Sequence, residues 1–214
     1  MFTIFLIGNI ASGKSCASRH LERRGALRID LDELAKGLYQ PGSAIVDDIA
    51  AEFGWDVLDA DGGIDRGRLA RRAFASPADA ERLNAIVHPV LLEQLGNRLV
   101  PANCCSVMVP AHDLAVVEVS APAGFTDAFA LADEVVAVTA PVEVRRRRAI
   151  ARGMDPADFD ARAECQPTEE EIRSMATAVI DNAAGDDGLF EALDALLAAD
   201  GVVPADEGRG PRDA

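Results

Sequence analysis

The chain is poor in lysine, histidine, cysteine and aromatic residues, and it has no long apolar run. Among 214 residues there are two lysines, three histidines and four cysteines. So few histidines, with no Cys-x-x-Cys or mixed Cys/His spacing, exclude a histidine-rich or zinc-type centre, and Cys16, Cys104, Cys105 and Cys165 read as reduced structural thiols. Charges interrupt every apolar stretch well short of the roughly 20 residues a membrane-spanning helix needs. Bases are scarce too: 21 Lys and Arg stand against 36 Asp and Glu, a formal net charge of −15. Such a chain is a poor non-specific partner for nucleic acid or an anionic membrane, both polyanions. Its first residues, MFTIFLIGNIASGKS, lack a basic leader and run into a glycine-bearing motif, so they read as a buried strand rather than a signal peptide. A cytoplasmic protein is expected, of one domain with ample chain for a core.

What positive charge there is lies in three islands. Residues 1–29 carry +4, residues 66–72 carry +4 and residues 141–152 carry +4, while 30–65, 73–140 and 153–214 carry −9, −6 and −12. Basic islands in an acidic chain are candidates for holding a local anion such as a phosphate.

Strands alternate with helices along the sequence. An apolar run at Thr3–Ile7 predicts a first strand, Ser15–Arg24 a helix and Ala26–Asp30 a second strand. The pattern is then helical through Ala44–Phe53, Arg66–Phe74 and Ala78–Leu99. Ser76-Pro-Ala-Asp79 marks a helix start, and Pro89 is expected to break the last stretch in two at His88. Strands resume at Leu114–Ser120 and Glu134–Thr139, a helix runs from Pro141 through Arg152, and Thr168-Glu-Glu-Glu171 is a capping box. A short strand at Ala178–Ile180 and a helix at Gly188–Ala198 close the series, and the Gly-, Pro- and charge-rich tail from Asp200 is expected to be disordered. The alternation predicts a mostly parallel sheet covered by helices on both faces.

One motif carries most of the chemistry. Gly8-Asn-Ile-Ala-Ser-Gly13-Lys14-Ser15 fits G-x-x-x-x-G-K-[ST], with an apolar strand before it and a helix after it. Backbone N–H groups of such a P-loop wrap a β-phosphate, and the helix N-terminus adds partial positive charge. Lys14 is placed to span the β- and γ-phosphates and the Ser15 hydroxyl to coordinate magnesium. Lysine stands here although the chain uses arginine for nearly every other base.

Asp30 and Asp32 close the second strand. In an open parallel sheet ligands collect at the carboxyl ends of strands, so either could accept a proton from an attacking hydroxyl, and either could instead cap the next helix. Arg145, Arg148 and Arg152 follow i, i+3, i+7 and share one helix face, with Arg146 and Arg147 pointing elsewhere. That face suits neutralisation of a transferring phosphoryl group; the plainer reading is a solvated basic helix. Arg66, Arg68, Arg71 and Arg72 either meet an acidic substrate or pair with neighbouring acids. His88-Pro89 is either a ligand or, the preferred reading, a hinge.

Taken together these features resemble the bacterial dephospho-CoA kinase family, from about residue 2 to residue 197. The resemblance is carried by the P-loop, Asp30-Leu-Asp32, Pro41-Gly42, Phe53-Gly54, the stretch Gly62-Gly-Ile-Asp65-Arg66-Gly-Arg-Leu69, Leu83-Asn84 with His88-Pro89, Arg148 with Arg152, Gln166 and Asp181-Asn182. It implies a P-loop NTPase-like three-layer α/β fold with a mostly parallel five-stranded sheet, a helical substrate-binding insertion and a lid helix. A single domain over 1–199 is expected, with a core of 1–32, 101–140 and 178–199, an acceptor-binding insertion at 33–100, a lid at 141–177 and a tail at 200–214. The family transfers the γ-phosphoryl of ATP to the ribose 3′-hydroxyl of dephospho-CoA. By resemblance the catalytic residues are Asp32 as general base, Lys14, Arg148 and Arg152. ATP would lie against Gly8, Asn9, Ile10, Ala11, Ser12, Gly13, Lys14, Ser15, Cys16 and Asn182, with magnesium on Ser15, and Asp32, Arg66 and His88 would meet dephospho-CoA. No nucleic acid or membrane partner is implied, and a monomer or weak homo-oligomer is expected. Two features depart from the family pattern. Asn9 and Ala11 replace glycines of its loop, and Glu118-Val-Ser-Ala-Pro122 stands where D-V-P-L-L-x-E is usual. The alternatives are another P-loop kinase of shikimate or gluconate type, or a non-catalytic ATP-binding protein.

Overall fold

The structure is a computed structural model, and it describes residues 1–99 and 112–202. The Cys104–Cys105 pair and the tail beyond residue 202 lie outside the described residues. The described residues fall into two compact units, one of 1–31 with 112–202 and the other of 32–99.

The first unit is built on five strands: β1 (Phe2–Ile7), β2 (Leu27–Asp30), β3 (Leu114–Glu118), β4 (Glu134–Thr139) and β5 (Ala178–Asp181). They pair in the order β2-β3-β1-β4-β5, every pair parallel. β1, β3 and β4 sit inside the sheet and are covered on both faces, which is why they read as unbroken apolar runs. α1 (Lys14–Arg23) and α9 (Asp186–Ala199) contribute Ala17, Leu21, Leu189, Leu193 and Leu197 to one core with Ile4, Leu6, Val116, Val136 and Val138. On the opposite face Phe5 meets Phe129 edge to face, with ring centroids 6.0 Å apart. Between β4 and β5 lie α6 (Val142–Ala151), α7 (Pro156–Glu164) and α8 (Glu169–Ser174). The capping box at Thr168 is formed: the Glu171 N–H donates to Thr168 Oγ1, and Glu171 Oε2 accepts from the Thr168 N–H. α7 was not anticipated, although Asp155 caps it and Pro156 opens it, which is itself a start signal.

The second unit is helical: α2 (Leu31–Gly37, which starts on the last residue of the first unit), α3 (Val46–Phe53), α4 (Arg66–Ala73) and α5 (Pro77–Leu99). Asp65 caps α4 through the Arg68 N–H at 3.0 Å, and Ser76 accepts the Asp79 N–H at the start of α5. The expected break at His88 does not occur. α5 runs unbroken for 23 residues with Pro89 inside it. Proline removes a single N–H and crowds one carbonyl. Here it lies on the exposed side, while Leu83, Val87, Leu91, Leu95 and Leu99 form a buried stripe that runs through both halves of the helix. His88 is therefore an interior helical residue and no hinge.

Candidate active site

Strand order places the switch point of the sheet beside β1, where chain connections leave in opposite directions and ligands of such sheets collect. The loop from Gly8 to Gly13 leaves β1 at that point. A Cβ on Gly8 would press into the Val138 carbonyl oxygen, and one on Gly13 into the Asn182 amide, while both residues hold positive φ (146° and 121°). Only glycine fits either position. Ala11 also has positive φ, 59°, and it is the one non-glycine residue among those described to do so. α1 then starts at Lys14 with no side-chain cap, which leaves its N-terminus directed at whatever occupies the loop.

The loop is held from several sides. Lys14 is buried, and its Nζ donates to the carbonyls of Gly8 (2.7 Å) and Asn9 (3.3 Å). The Asn9 amide donates to the Pro167 carbonyl at 2.9 Å, and the Ile10 N–H donates to Gln166 Oε1 at 2.8 Å, so the segment between α7 and α8 closes on the loop. Asn182 is buried beneath it and donates to the Ser12 carbonyl at 2.9 Å. The structure thus shows Asn182 bracing the loop backbone. Ser12 Oγ is buried without a hydrogen-bond partner and lies in a cavity of about 10 Å³ shared with Thr139 and Arg145, the size of one water.

The three arginines of the shared face all turn to the loop. Arg145 is buried and donates to the carbonyls of Ala140 (3.1 Å) and Ile10 (3.4 Å). Arg148 donates to Ser12 O (3.5 Å) and to Asn182 O (2.8 Å) and Oδ1 (3.3 Å). Arg152, exposed just beyond α6, reaches Cys16 Sγ at 3.9 Å. A cavity of about 300 Å³ opens here, lined by Ile10, Ala11, Ala149, Arg152, Gly153 and Met154. Arg146 points away and pairs with Asp160 at 2.9 and 3.1 Å. The Cys16 thiol is pushed up by burial and then by Asp186, only partly offset by Arg152 and Arg19, so it stays protonated at neutral pH.

Ser15 donates its hydroxyl proton to Glu118 at the end of β3. Glu118 is buried, and its second oxygen accepts from Ser18 (3.0 Å) and Arg28 (3.1 Å). Burial alone would raise its pKa; the bonds from Ser15, Arg28 and Ser18, with the charge of Lys14, outweigh it and hold the carboxylate below its ordinary range. A hydroxyl beside an ionised carboxylate is an all-oxygen donor set that suits a hard cation such as magnesium. Among the described residues no group of three His, Cys, Asp or Glu could hold a metal, so such a cation would come with phosphate oxygens and water completing its shell. Arg28 and Ser18 were not anticipated from the sequence. The signal was present: Arg28 precedes Asp30 by two residues and so shares its strand face.

The other expected residues belong to the second unit. Asp32 is exposed in the first turn of α2. Arg66 borders a cavity of about 210 Å³ lined with Tyr39, Leu69, Ala70, Phe74 and Leu83. The Tyr39 hydroxyl is held up by burial against the opposing charge of Arg66. Arg68 and Arg72 pair with Asp65 and Asp56. His88 is half-buried in mid-helix.

An all-parallel sheet with a phosphate loop between its first strand and a helix, an arginine-bearing helix turned onto that loop and a serine–carboxylate pair beside it define a P-loop kinase of the α/β class. The family model for dephospho-CoA kinase matches residues 2–187, and the chain belongs to that family. A dephospho-CoA kinase of Frankia casuarinae is 40% identical over 198 residues, covering 92% of this chain and 81% of that protein. A crystal structure of a Thermus thermophilus protein superposes with a TM-score of 0.74 at 30% identity, covering 92% of this chain and 97% of that one. The shikimate kinase of Acinetobacter baumannii, solved with shikimate, shares the fold alone, with a TM-score of 0.54 at 16% identity over 94% of each chain.

Proposed function

We propose that this protein transfers the γ-phosphoryl group of ATP to the ribose 3′-hydroxyl of dephospho-CoA, giving coenzyme A and ADP. The observation that carries this reading is the family match across residues 2–187, with the loop lysine and serine of that family in place as Lys14 and Ser15. In the reaction the 3′-hydroxyl oxygen bonds to the γ-phosphorus, the bond to the β,γ-bridging oxygen breaks, and the hydroxyl proton passes to a carboxylate assigned to Asp32. Lys14 would leave the carbonyls of Gly8 and Asn9 for the β- and γ-phosphates. Loop N–H groups would hold the β-phosphate, and Arg148 and Arg152 would face the transferring group. Ser15 would hold magnesium, which when bound spreads the charge of the phosphate oxygens. The acceptor is assigned to the second unit, with Arg66 and His88 among its contacts. The cytoplasm is the expected location, and a monomer or weak homo-oligomer the expected state.

The test is direct. Folded protein with magnesium, ATP and dephospho-CoA should yield coenzyme A and ADP in equal amounts, while shikimate and gluconate should not be phosphorylated. No coenzyme A above background overturns the assignment. Asp32→Asn should lower kcat by about 10²–10⁴ if Asp32 is the base. An unchanged kcat would move that role to Asp30 or remove it from both.

A further inference from the structure

Two carboxylates stand side by side where the sheet meets the loop. Asp30 on β2 and Glu118 on β3 occupy the same register position, and like charges on neighbouring strands repel. Arg28 lies on the same face of β2 and bridges them: its Nη2 is 3.1 Å from Glu118 Oε2 and 3.4 Å from Asp30 Oδ2. Its Nε donates to Ser18 Oγ at 2.9 Å, and Ser18 donates in turn to Glu118 Oε2 at 3.0 Å. One guanidinium therefore fixes Glu118 twice, directly and through a serine, and a planar fork is what that geometry demands. The remaining Glu118 oxygen accepts the proton of Ser15.

We propose that Arg28 is a positioning residue for metal-dependent nucleotide binding, acting through Glu118 on Ser15. A serine hydroxyl has one proton and two lone pairs. With its proton committed to a fixed Glu118, its lone pairs face outward for a hard cation arriving with the nucleotide. Arg28 also balances, together with the charge of Lys14, a buried negative charge that would otherwise stand beside the phosphates. This inference rests on the reading of the loop as a site for magnesium and ATP.

Binding of ATP should be measured by calorimetry with magnesium and, separately, with a chelator, for the unaltered protein, Arg28→Met and Arg28→Lys. Arg28→Met is expected to weaken binding with magnesium by about 10–100-fold, the usual scale for groups that orient a metal ligand, while binding under chelator changes by no more than about twofold. Arg28→Lys should recover part of the loss, because it restores the charge on Glu118 without the bond to Ser18. In a Glu118→Gln background Arg28→Met should add little, since its route to Ser15 is gone. Equal weakening with and without magnesium, or the full loss persisting in the Glu118→Gln background, overturns the proposal. Should Arg28→Met fail to fold, Ser18→Ala and Arg28→Lys take its place, with a smaller loss again confined to the magnesium arm. Failure of the unaltered protein to bind ATP under either condition would overturn the proposed function instead.

Discussion

Two helices carry arginine clusters, and they dispose of the charge in opposite ways. On α6, Arg145 and Arg148 donate to backbone carbonyls and an amide oxygen at Ile10, Ser12, Ala140 and Asn182. On α4, Arg72 donates to the Asp56 carboxylate, and Arg68 is ion-paired with Asp65 at 3.2 Å while it also donates to the carbonyls of Asp56 and Leu58. A carbonyl satisfies the donor and leaves the positive charge in place, whereas a carboxylate cancels it. The α6 arginines therefore brace the loop while keeping a positive field over it, and those of α4 mostly tie a surface together. Arg146 follows the same rule within α6: it faces away from the loop and is neutralised by Asp160. The lesson is that a cluster's acceptors, more than its charge count, separate a phosphate site from a solvated helix face.

The largest effect should separate the two sides of α6. Arg148→Met removes the brace on Ser12 and Asn182, and with it the charge proposed to face the transferring group, and should lower kcat by about 10²–10³. Arg146→Met, three-dimensionally opposite on the same helix, should leave kcat and the KM for ATP within about twofold of the original, as exposed ion pairs contribute little. Steady-state kinetics on the two variants checks the comparison. Equal losses would mean that the helix acts as a unit and that the choice of acceptor is irrelevant.

Much of this was legible beforehand, and the reasons are physical. Apolar runs marked β1, β3 and β4, because interior parallel strands are covered on both faces. The loop motif was unambiguous because it lay between a strand and a helix. Pairings between distant residues were not legible. Glu118 stood out only as a departure from a family pattern, and nothing local to it announces that Arg28, Ser15 and Ser18 converge on it from β2 and α1. Asn182 was expected to touch nucleotide, and it lies under the loop because β5 ends beside β4, a fact of sheet order. The break expected at Pro89 does not occur because the buried stripe of α5 keeps the helix continuous through one missing hydrogen bond, which local propensity alone does not show.

A smaller effect should appear within α4. Arg66 borders the cavity with Tyr39 and Phe74 and donates no hydrogen bond to a described residue, while Arg72 is bound to Asp56 and the Phe53 carbonyl. Arg66→Ala should raise the KM for dephospho-CoA by about tenfold, the size of one charge-assisted hydrogen bond, with the KM for ATP unchanged. Arg72→Ala should move neither KM and should show only in thermal unfolding. A rise in both KM values for Arg66→Ala would place that residue in the fold's support rather than in the acceptor's recognition.

The smallest effect tests what the α6 braces hold in place. Arg145 and Arg148 bind the carbonyls of Ile10 and Ser12, which flank Ala11, and Ala11 is the residue held at φ 59°. A side chain in that region costs about 1–3 kcal/mol, against roughly 0.5–1 kcal/mol that glycine loses through the freedom of its unfolded chain. Ala11→Gly should therefore stabilise the protein by about 1 kcal/mol and raise Tm by about 2–4 °C at this chain length. The loop N–H groups are unaltered, so the KM for ATP should hold. If the braces are what enforce the strained turn, the same substitution should also soften the stability loss of Arg148→Met, because a glycine reaches that turn without them. Additive melting shifts in the double variant would show that the loop keeps its shape independently of α6, and would leave the positive field as the sole contribution of Arg148.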